Sequence, residues 1–297
     1  MKLNNVIFRV FPLFIMGAFL LSGCGHDTPI EEQVDFEITT LTSDEKLEIQ
    51  TILNSQIEVE DHSILLKDCE IEDNINSRTW LYNVILPKNY SDQKSYPFLY
   101  LLHGKDSDKD KWLNPLKAKE TLDYFYSMGL EDLIVIIPNA ENTYYVDNYQ
   151  DDIKYESFFR HIFMPEVERL YNFSSNGVKR FISGFSMGGW GALYYALKYA
   201  DDFDFCYAMS APVDGKNDPL TPSILSLPGL FDLDIIPSIH FDIGNSDGFV
   251  KLNLEYHFAL NLLKIPHEFI LREGGHDTDF WTEALYLMFK RIMEGGN

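Results

Sequence analysis

Short apolar runs alternate with helical patterns along most of this 297-residue chain, and this alternation constrains the fold more than any other feature. The apolar runs lie at 64–66, 80–86, 97–102, 133–137, 178–183, 203–209, 238–243 and 268–271. Patterns with a helical period lie between these runs and after them, at 117–128, 157–170, 188–199, 249–263 and 280–293. Strands that alternate with helices of this length predict βαβ units, and therefore a largely parallel sheet covered by helices on both faces.

The same order of elements predicts where a functional site would lie. In open parallel sheets, ligands bind beyond the carboxyl ends of the strands, where the loops of several strands meet. A Gly-Phe-Ser-Met-Gly motif centred on Ser186 follows the strand at 178–183, and a helical pattern begins at once. This is the setting of a nucleophile elbow, in which flanking glycines leave room for a sharply turned serine. The alternative, a phosphate-binding turn, has a different glycine spacing.

A nucleophilic serine needs a base to take its proton and an acid to orient that base. After an elbow of this kind, the acid and then the histidine follow along the chain. His276 lies in a Gly-Gly-His-Asp loop directly after strand 268–271, which predicts it as the base. Three other downstream histidines fall within strand or helix patterns, or open a strand: His240, His257 and His267.

Asp247 is the predicted acid, because it comes directly after strand 238–243 in a Gly-Asn-Ser-Asp-Gly loop. Asp242 is the alternative, but it falls inside the strand pattern, so its side chain is expected to point to a face of the sheet. Asp277 adjoins the histidine and is expected to be a loop residue. The pattern therefore predicts a triad of Ser186, His276 and Asp247.

Ester and amide chemistry at a serine also needs two donors for the oxyanion. One is predicted to be the backbone N–H of Met187, directly after the nucleophile. The other is expected from the loop after strand 97–102, at the backbone of Lys105, with Gly104 as the alternative. His103 is expected to organise that turn rather than to react.

The N-terminus has the features of a secretion signal. Basic residues precede an apolar run of 12 residues, Val10 to Leu21, which is too short to span a membrane and is typical of a signal peptide. Residues 21–24, Leu-Ser-Gly-Cys, resemble the lipobox of bacterial lipoproteins, which implies cleavage after residue 23 and lipidation of Cys24. Gly25 favours the outer membrane or the cell surface. The alternative is an ordinary secretory signal with an incidental cysteine.

Three parts of the chain are predicted: a signal peptide at 1–23, an acidic tether and lead-in at 24–62, and one main domain at 63–297. A short helix is expected at 42–53.

The charge, with 46 acidic and 24 basic residues, is −22, so a polyanionic partner such as nucleic acid would be repelled. The aspartates after residue 105 lack the glycine and glutamate of a calcium loop, and neither a metal nor another cofactor is predicted. The oligomeric state is left open.

Taken together, the motifs resemble the esterase D family of α/β-hydrolases. The resemblance rests on Leu-Leu-His-Gly at 101–104, Trp112 and the Gly-Phe-Ser-Met-Gly-Gly motif at 184–189. It extends to the loop that holds the predicted acid, at 244–247 (the acid loop), and to Gly-Gly-His at 274–276 (the histidine loop) with Trp281. It covers about residues 63–295. It implies an eight-stranded, mostly parallel sheet with the nucleophile after the fifth strand. It also implies that Cys69 and Cys206 lie on distant strands, and we therefore expect two buried free thiols.

The resemblance further implies a serine esterase that removes acetyl or feruloyl groups from polysaccharide-derived substrates. Alternatives on the same fold are a siderophore-ester hydrolase and an acyltransferase. A non-catalytic carbohydrate-binding lipoprotein is a third, but it has no need of a complete triad. Substrate contacts are expected from Trp112, Tyr144 and Tyr145, and from a lid or pocket wall at 211–237, which is rich in proline.

Overall fold

The computed structural model describes residues 6–8, 34–54, 62–149, 152–172, 178–213 and 236–295. The apolar run of the predicted signal peptide, Cys24 and most of the loop predicted at 211–237 lie outside these ranges. Two short strands at the N-terminus, β1 (Val6–Phe8) and β2 (Val34–Phe36), pair with each other in antiparallel fashion. No sequence pattern predicts either strand.

The eight predicted strands form one sheet. They are β3 (Ser63–Asp73), β4 (Arg78–Pro87), β5 (Phe98–Leu102), β6 (Ile134–Pro138), β7 (Arg180–Phe185), β8 (Phe205–Met209), β9 (Ser238–Gly244) and β10 (Glu268–Arg272). Their order is β10-β9-β8-β7-β5-β6-β4-β3. The six strands β5 to β10 run parallel to one another, and β4 is antiparallel to both of its neighbours, β3 and β6. The α/β-hydrolase fold with an eight-stranded, mostly parallel sheet is confirmed.

The helices lie on both sides of the sheet. They are α1 (Ser43–Leu53), α2 (Ala118–Ser127), α3 (Tyr155–Phe158), α4 (Met164–Leu170), α5 (Met187–Lys198), α6 (Val250–Leu262) and α7 (Thr278–Met293). Buried side chains of α1, α2 and α7 share one core cluster, and those of α3 to α6 contribute to another. Each central strand supplies both cores by alternation: Tyr100 of β5 faces the second cluster, whereas Leu99 and Leu101 face the first.

The helix predicted at 157–170 is divided. A π-helical turn, Phe159–Phe163, separates α3 from α4, and Pro165 lies in the first turn of α4. A proline is tolerated there, because the first amides of a helix have no intrahelical acceptor. The change of helical pitch thus comes just before the proline.

Residues 39–53, within the segment predicted as a tether and lead-in, pack on the main domain. Thr42 and Glu45 cap α1 reciprocally, and Ile49 and Ile52 are buried in the same core cluster as α2 and α7. Just before α1, the backbone N–H of Thr39 donates to the carbonyl of Leu271 at 2.7 Å, beside the edge strand β10. The packed unit thus includes residues ahead of position 63.

Cys69 and Cys206 are both free thiols. Cys206 is buried on β8, whereas Cys69 is only half-buried on the edge strand β3, so the expectation of two buried thiols is right for Cys206 alone. Within the described ranges, no helix combines the length and the apolar character that a membrane crossing would need. The same ranges contain no group of three or more metal-ligating side chains.

Candidate active site

Ser186 lies at the sharp turn between β7 and α5. Its backbone has φ 53° and ψ −120°, a conformation that residues other than glycine rarely adopt. The Ser186 amide donates to the carbonyl of Met209 on the neighbouring strand β8 at 2.8 Å, which holds the turn against the sheet. The hydroxyl is consequently presented beyond the carboxyl end of β7, at the place predicted from the strand order.

The glycines of the motif are required by close backbone approach. A Cβ atom on Gly184 would lie 2.2 Å from the carbonyl oxygen of Gly188, and one on Gly188 would lie 2.1 Å from that of Leu102. No shift of a flexible side chain can relieve either contact, because both partners are backbone atoms. The elbow is therefore built by a strand, a helix start and the end of β5 meeting within van der Waals distance.

Three predicted side chains meet at this turn. The Nε2 atom of His276 lies 2.9 Å from the Oγ atom of Ser186, and its Nδ1 atom lies 2.8 Å from the Oδ2 atom of Asp247. The carboxylate of Asp247 is buried, whereas about a third of the His276 side chain is exposed. A carboxylate at Nδ1 favours the tautomer with its proton on Nδ1, which leaves Nε2 free to accept the serine proton.

The acid is held by a second bond. The Oδ1 atom of Asp247 accepts the backbone N–H of Phe249 at 2.8 Å, so each of its two oxygens has a donor. Phe249 immediately precedes α6, and its ring centroid lies 5.3 Å from that of His276 in an edge-to-face contact. The ring of Trp281 makes a similar contact with His276, at 5.1 Å, and stacks on Phe185 beneath it.

The acid loop and the histidine loop are joined by backbone contacts. The amide of Asn245 donates to the carbonyl of Arg272 at 2.8 Å, and the amide of Ser246 donates to the carbonyl of Gly274 at 2.9 Å. The side-chain oxygen of Asn245 accepts the amide of Gly274 at 3.3 Å. These bonds fix the distance between the two loops, and hence between Asp247 and His276.

Asp242, the alternative acid, has a different role. It is fully buried on β9, where its Oδ2 atom accepts Arg272 at 2.8 Å and the hydroxyl of Tyr207 at 3.2 Å. Burial raises the pKa of Asp242, although the Arg272 guanidinium opposes the shift. Asp277, next to the histidine, caps the start of α7. His276 Nδ1 is bound to Asp247, at 2.8 Å, and not to either of these two carboxylates.

The loop after β5 passes beside the serine. A Cβ atom on Gly104 would lie 3.4 Å from the Cβ atom of Ser186. Lys105 follows as an exposed residue, and the amide of Asp106 is already bound to the side chain of Asn142 at 2.8 Å. Met187 is the first residue of α5, where a backbone N–H has no acceptor one turn back. The amide of Met187 is thus suited to an oxyanion, and that of Lys105 stays a prediction.

His103 organises this loop. The ring is fully buried, with Nδ1 2.8 Å from the carbonyl of Gly104 and Nε2 accepting the amide of Ala140 at 2.9 Å. Burial lowers the pKa of His103 to about 4, so the ring is neutral near pH 7. The hydroxyl of Tyr145 donates to the His103 carbonyl at 2.8 Å. A neutral imidazole with both nitrogens engaged is a structural tie between two loops.

The aromatic residues predicted to contact substrate are placed differently from one another. Trp112 and Tyr145 are wholly buried, Trp112 against Phe185 and Tyr145 beneath the loop after β5, and their contact with substrate stays a prediction. Tyr144 is half-buried, with its ring 4.5 Å from that of Tyr149. Burial of large rings is the ordinary outcome in a core, which sequence composition does not distinguish from a pocket wall.

The remaining downstream histidines lie away from the serine contacts. His240 is bound to Glu268 at 2.6 Å on the sheet, and His257 and His267 are bound to each other at 2.8 Å. Asn245 and the ring of Phe249 have no place in the sequence prediction of the site. Their distance of two residues from Asp247 along the chain is the one sequence signal that could have identified them as site residues.

Comparison with known proteins identifies the family of the chain. The family model described as "Putative esterase" matches residues 75–292. An acetyl esterase of Caldicellulosiruptor saccharolyticus is 27% identical over an alignment of 230 residues, which covers 67% of this chain and 84% of that protein. Endo-1,4-beta-xylanase Y of Acetivibrio thermocellus is 31% identical over an alignment of 157 residues, which covers 46% of this chain and 14% of that enzyme. A solved ferulic acid esterase is similar with a TM-score of 0.70 and 28% identity, covering 78% of this chain and 99% of that one.

The family match spans most of the chain, so the protein belongs to this esterase family. The family predicted from the motifs is confirmed, and the protein is a carboxylic ester hydrolase.

Proposed function

We propose that the protein hydrolyses carboxylic esters through Ser186, His276 and Asp247 and an acyl-enzyme. The observation that carries the proposal is the chain of two hydrogen bonds, 2.9 Å from serine to histidine and 2.8 Å from histidine to aspartate. A base in contact with the hydroxyl, itself oriented by a buried acid, is what serine nucleophiles require.

The first half-reaction forms the acyl-enzyme. Oγ of Ser186 attacks the carbonyl carbon of the ester while its proton passes to Nε2 of His276. The tetrahedral adduct then expels the alcohol, whose oxygen takes that proton from Nε2 as the carbon–oxygen bond breaks. Asp247 stabilises the imidazolium that exists between these two transfers. The oxyanion accepts hydrogen bonds from the amides of Met187 and Lys105, each worth about 10²–10³ in rate.

The second half-reaction releases the acid. Water gives a proton to Nε2 of His276 and attacks the acyl carbonyl, and the second adduct collapses with return of that proton to Oγ of Ser186. The products are one carboxylic acid and one alcohol, and the enzyme is restored. An acyltransferase would differ only in the hydroxyl compound that replaces water.

The proposed substrates are acetyl or feruloyl esters of polysaccharide-derived sugars. The support comes from the names of similar proteins, an acetyl esterase, a ferulic acid esterase and a xylanase. The lipoprotein-like N-terminus supports a location where such polymers are met. We propose that the mature protein is held at the outer membrane or cell surface through Cys24.

Site variants test the mechanism. We expect the purified protein to hydrolyse small aryl esters, and Ser186→Ala or His276→Ala to lower the rate by about 10³-fold or more. Asp247→Asn should also be severe, whereas Asp242→Asn, the matched control, should retain most activity once its folding is verified by circular dichroism. Undiminished hydrolysis by Ser186→Ala would contradict the proposal.

Release of product from three substrates tests the substrate class: acetyl-xylan, a feruloylated arabinoxylan oligosaccharide and a siderophore ester. Acetate or ferulate release supports the proposal, and release from the siderophore ester alone overturns it. Activity on none of them, in a folded protein, would favour the acyltransferase or the carbohydrate-binding alternative.

Anchoring has its own test. Cells that express the full chain should incorporate labelled palmitate into the protein, and Cys24→Ser should abolish the incorporation. Label retained in the Cys24→Ser variant would contradict anchoring at that residue.

A further inference from the structure

Phe249 holds a distinctive place beside the catalytic histidine. Its backbone N–H donates to Asp247, and its ring contacts the His276 ring at 5.3 Å and an interplanar angle of 79°. Phe249 is partly buried, packed against the cluster of Ile243, Val250, Leu254 and Leu271, and part of the residue stays exposed. On its N-terminal side, a Cβ atom on Gly248 would meet no described atom within 4 Å, which leaves open space next to Phe249.

Which half of a substrate meets this ring follows from the chemistry. The alcohol oxygen must take its proton from Nε2 of His276, so the alcohol departs along the imidazole. In the part of the chain that the structure describes, two aromatic rings contact that imidazole, those of Phe249 and Trp281. Trp281 is only 8% exposed and is stacked on Phe185. Of these two rings, that of Phe249 is the more accessible, so it is the candidate aromatic contact for the departing alcohol.

We propose that the Phe249 ring is a specificity-determining platform on which the alcohol half of the ester, a sugar ring, is bound. This inference rests on the proposed ester hydrolysis at Ser186. The C–H groups of a sugar ring present an apolar face, and burying that face against an aromatic ring removes apolar surface from water. A small alcohol such as methanol has too little surface to gain from the same contact. The platform thus favours esters of sugars over simple alkyl esters of the same acid.

The geometry allows a clean test, because the bond to Asp247 comes from the Phe249 backbone and survives a change of side chain. Phe249→Leu removes the flat ring, and Phe249→Tyr keeps it. The substrates are two esters with one acyl group, methyl ferulate and feruloyl arabinose. Methyl acetate and acetylated xylobiose form the equivalent pair if acetate is the group that the protein releases.

We expect Phe249→Leu to lower kcat/KM for the sugar ester about tenfold, mainly through KM, and to change the methyl ester less than threefold. Phe249→Tyr should retain the wild-type ratio. Deacylation should be unchanged in both variants, since water has then replaced the alcohol; single-turnover measurement of acid release checks this.

Equal losses on both esters, or a slower deacylation, would overturn the proposal, because a ring that merely supports His276 affects both half-reactions alike. A wild-type preference for the methyl ester would overturn it too. Ser186→Ala is assayed in parallel: activity that persists there contradicts the proposed hydrolysis itself, not the platform.

Discussion

At Ser186 the backbone conformation itself carries a cost. A residue with a side chain at φ 53° and ψ −120° is strained by about 1–3 kcal/mol. Glycine adopts such a conformation freely, but it loses about 0.5–1 kcal/mol more conformational entropy on folding than alanine does. The strain is therefore the larger of the two effects at this position.

We predict that Ser186→Gly is more stable than Ser186→Ala by about 1 kcal/mol, although both lack the nucleophile. Alanine keeps the Cβ atom and the strain, and glycine removes both. Urea unfolding of the two variants measures the difference. An alanine variant as stable as the glycine variant would show that the elbow is unstrained in solution.

His103 makes the stability of the protein depend on pH. Burial lowers its pKa to about 4, from about 6.5 in the unfolded chain. The stability that the neutral ring contributes is complete above pH 6.5 and is lost as the pH falls toward 4, because the unfolded state then binds the proton more readily.

We predict that His103 alone removes about 2 kcal/mol of unfolding free energy between pH 7 and pH 5. His103→Asn, which cannot be protonated in this range, should show a correspondingly smaller loss. Denaturant unfolding of both proteins at the two pH values measures it. Part of the slope will remain in the variant, because burial also lowers the pKa of His257 to about 4. Identical slopes would contradict the assignment to His103.

At the scale of single residues, the sequence predicts what depends on position along the chain. Ser186, Asp247 and His276 each lie within four residues of the end of a strand, and parallel strands bring such positions together. The burial of Trp112 was not predictable in this way, since it depends on which loop covers the ring. The contact of Phe249 with His276 depends likewise on how two loops meet.

At the scale of elements, all eight strands of the main sheet were predictable, but their extents were not. β3 runs from Ser63 to Asp73, with an irregularity in register between Leu66 and Cys69. Its second half carries alternating charged residues that conceal an edge strand, because one side of an edge strand is solvated. The helical division at Phe159–Phe163 has no sequence signature other than the following proline.

The pairing of the acid loop with the histidine loop leads to a prediction about Asn245. Its side-chain oxygen accepts the amide of Gly274, two residues before His276. We expect Asn245→Ala to lower kcat about tenfold with little change in KM, because the histidine loop loses a positioning bond while the substrate contacts remain.

Ser246→Ala is the matched control: this exposed hydroxyl donates only to Asn245, and its loss should leave kcat within twofold. Asn245→Asp keeps an acceptor oxygen and should recover most of the activity. Steady-state kinetics on an aryl ester compares the three variants. A loss in Ser246→Ala equal to that in Asn245→Ala would contradict a specific role for the bond to Gly274.

At the scale of the whole molecule, the lead-in belongs to the folded unit. Besides the buried isoleucines, Lys290 of α7 lies 2.8 Å from Glu45, and the hydroxyl of Tyr286 donates to Glu48. These contacts link α1 to the last helix of the chain. Sequence alone did not reveal the docking, because one short helix after an acidic stretch has no pattern that names its partner.

The last prediction concerns how much this docked helix stabilises the fold. Ile52 is 5% exposed and lies in the core cluster shared with α2 and α7, whereas Leu47 on the same helix is 66% exposed. Ile52→Ala should lower the unfolding free energy by about 2 kcal/mol or more, since a buried aliphatic side chain is lost and a cavity remains. Leu47→Ala, with the same kind of truncation on the solvent side, should change it by less than about 0.5 kcal/mol. Equal, small effects in urea unfolding would show that α1 is detached in solution, and that the catalytic unit folds without the segment that joins it to the N-terminus.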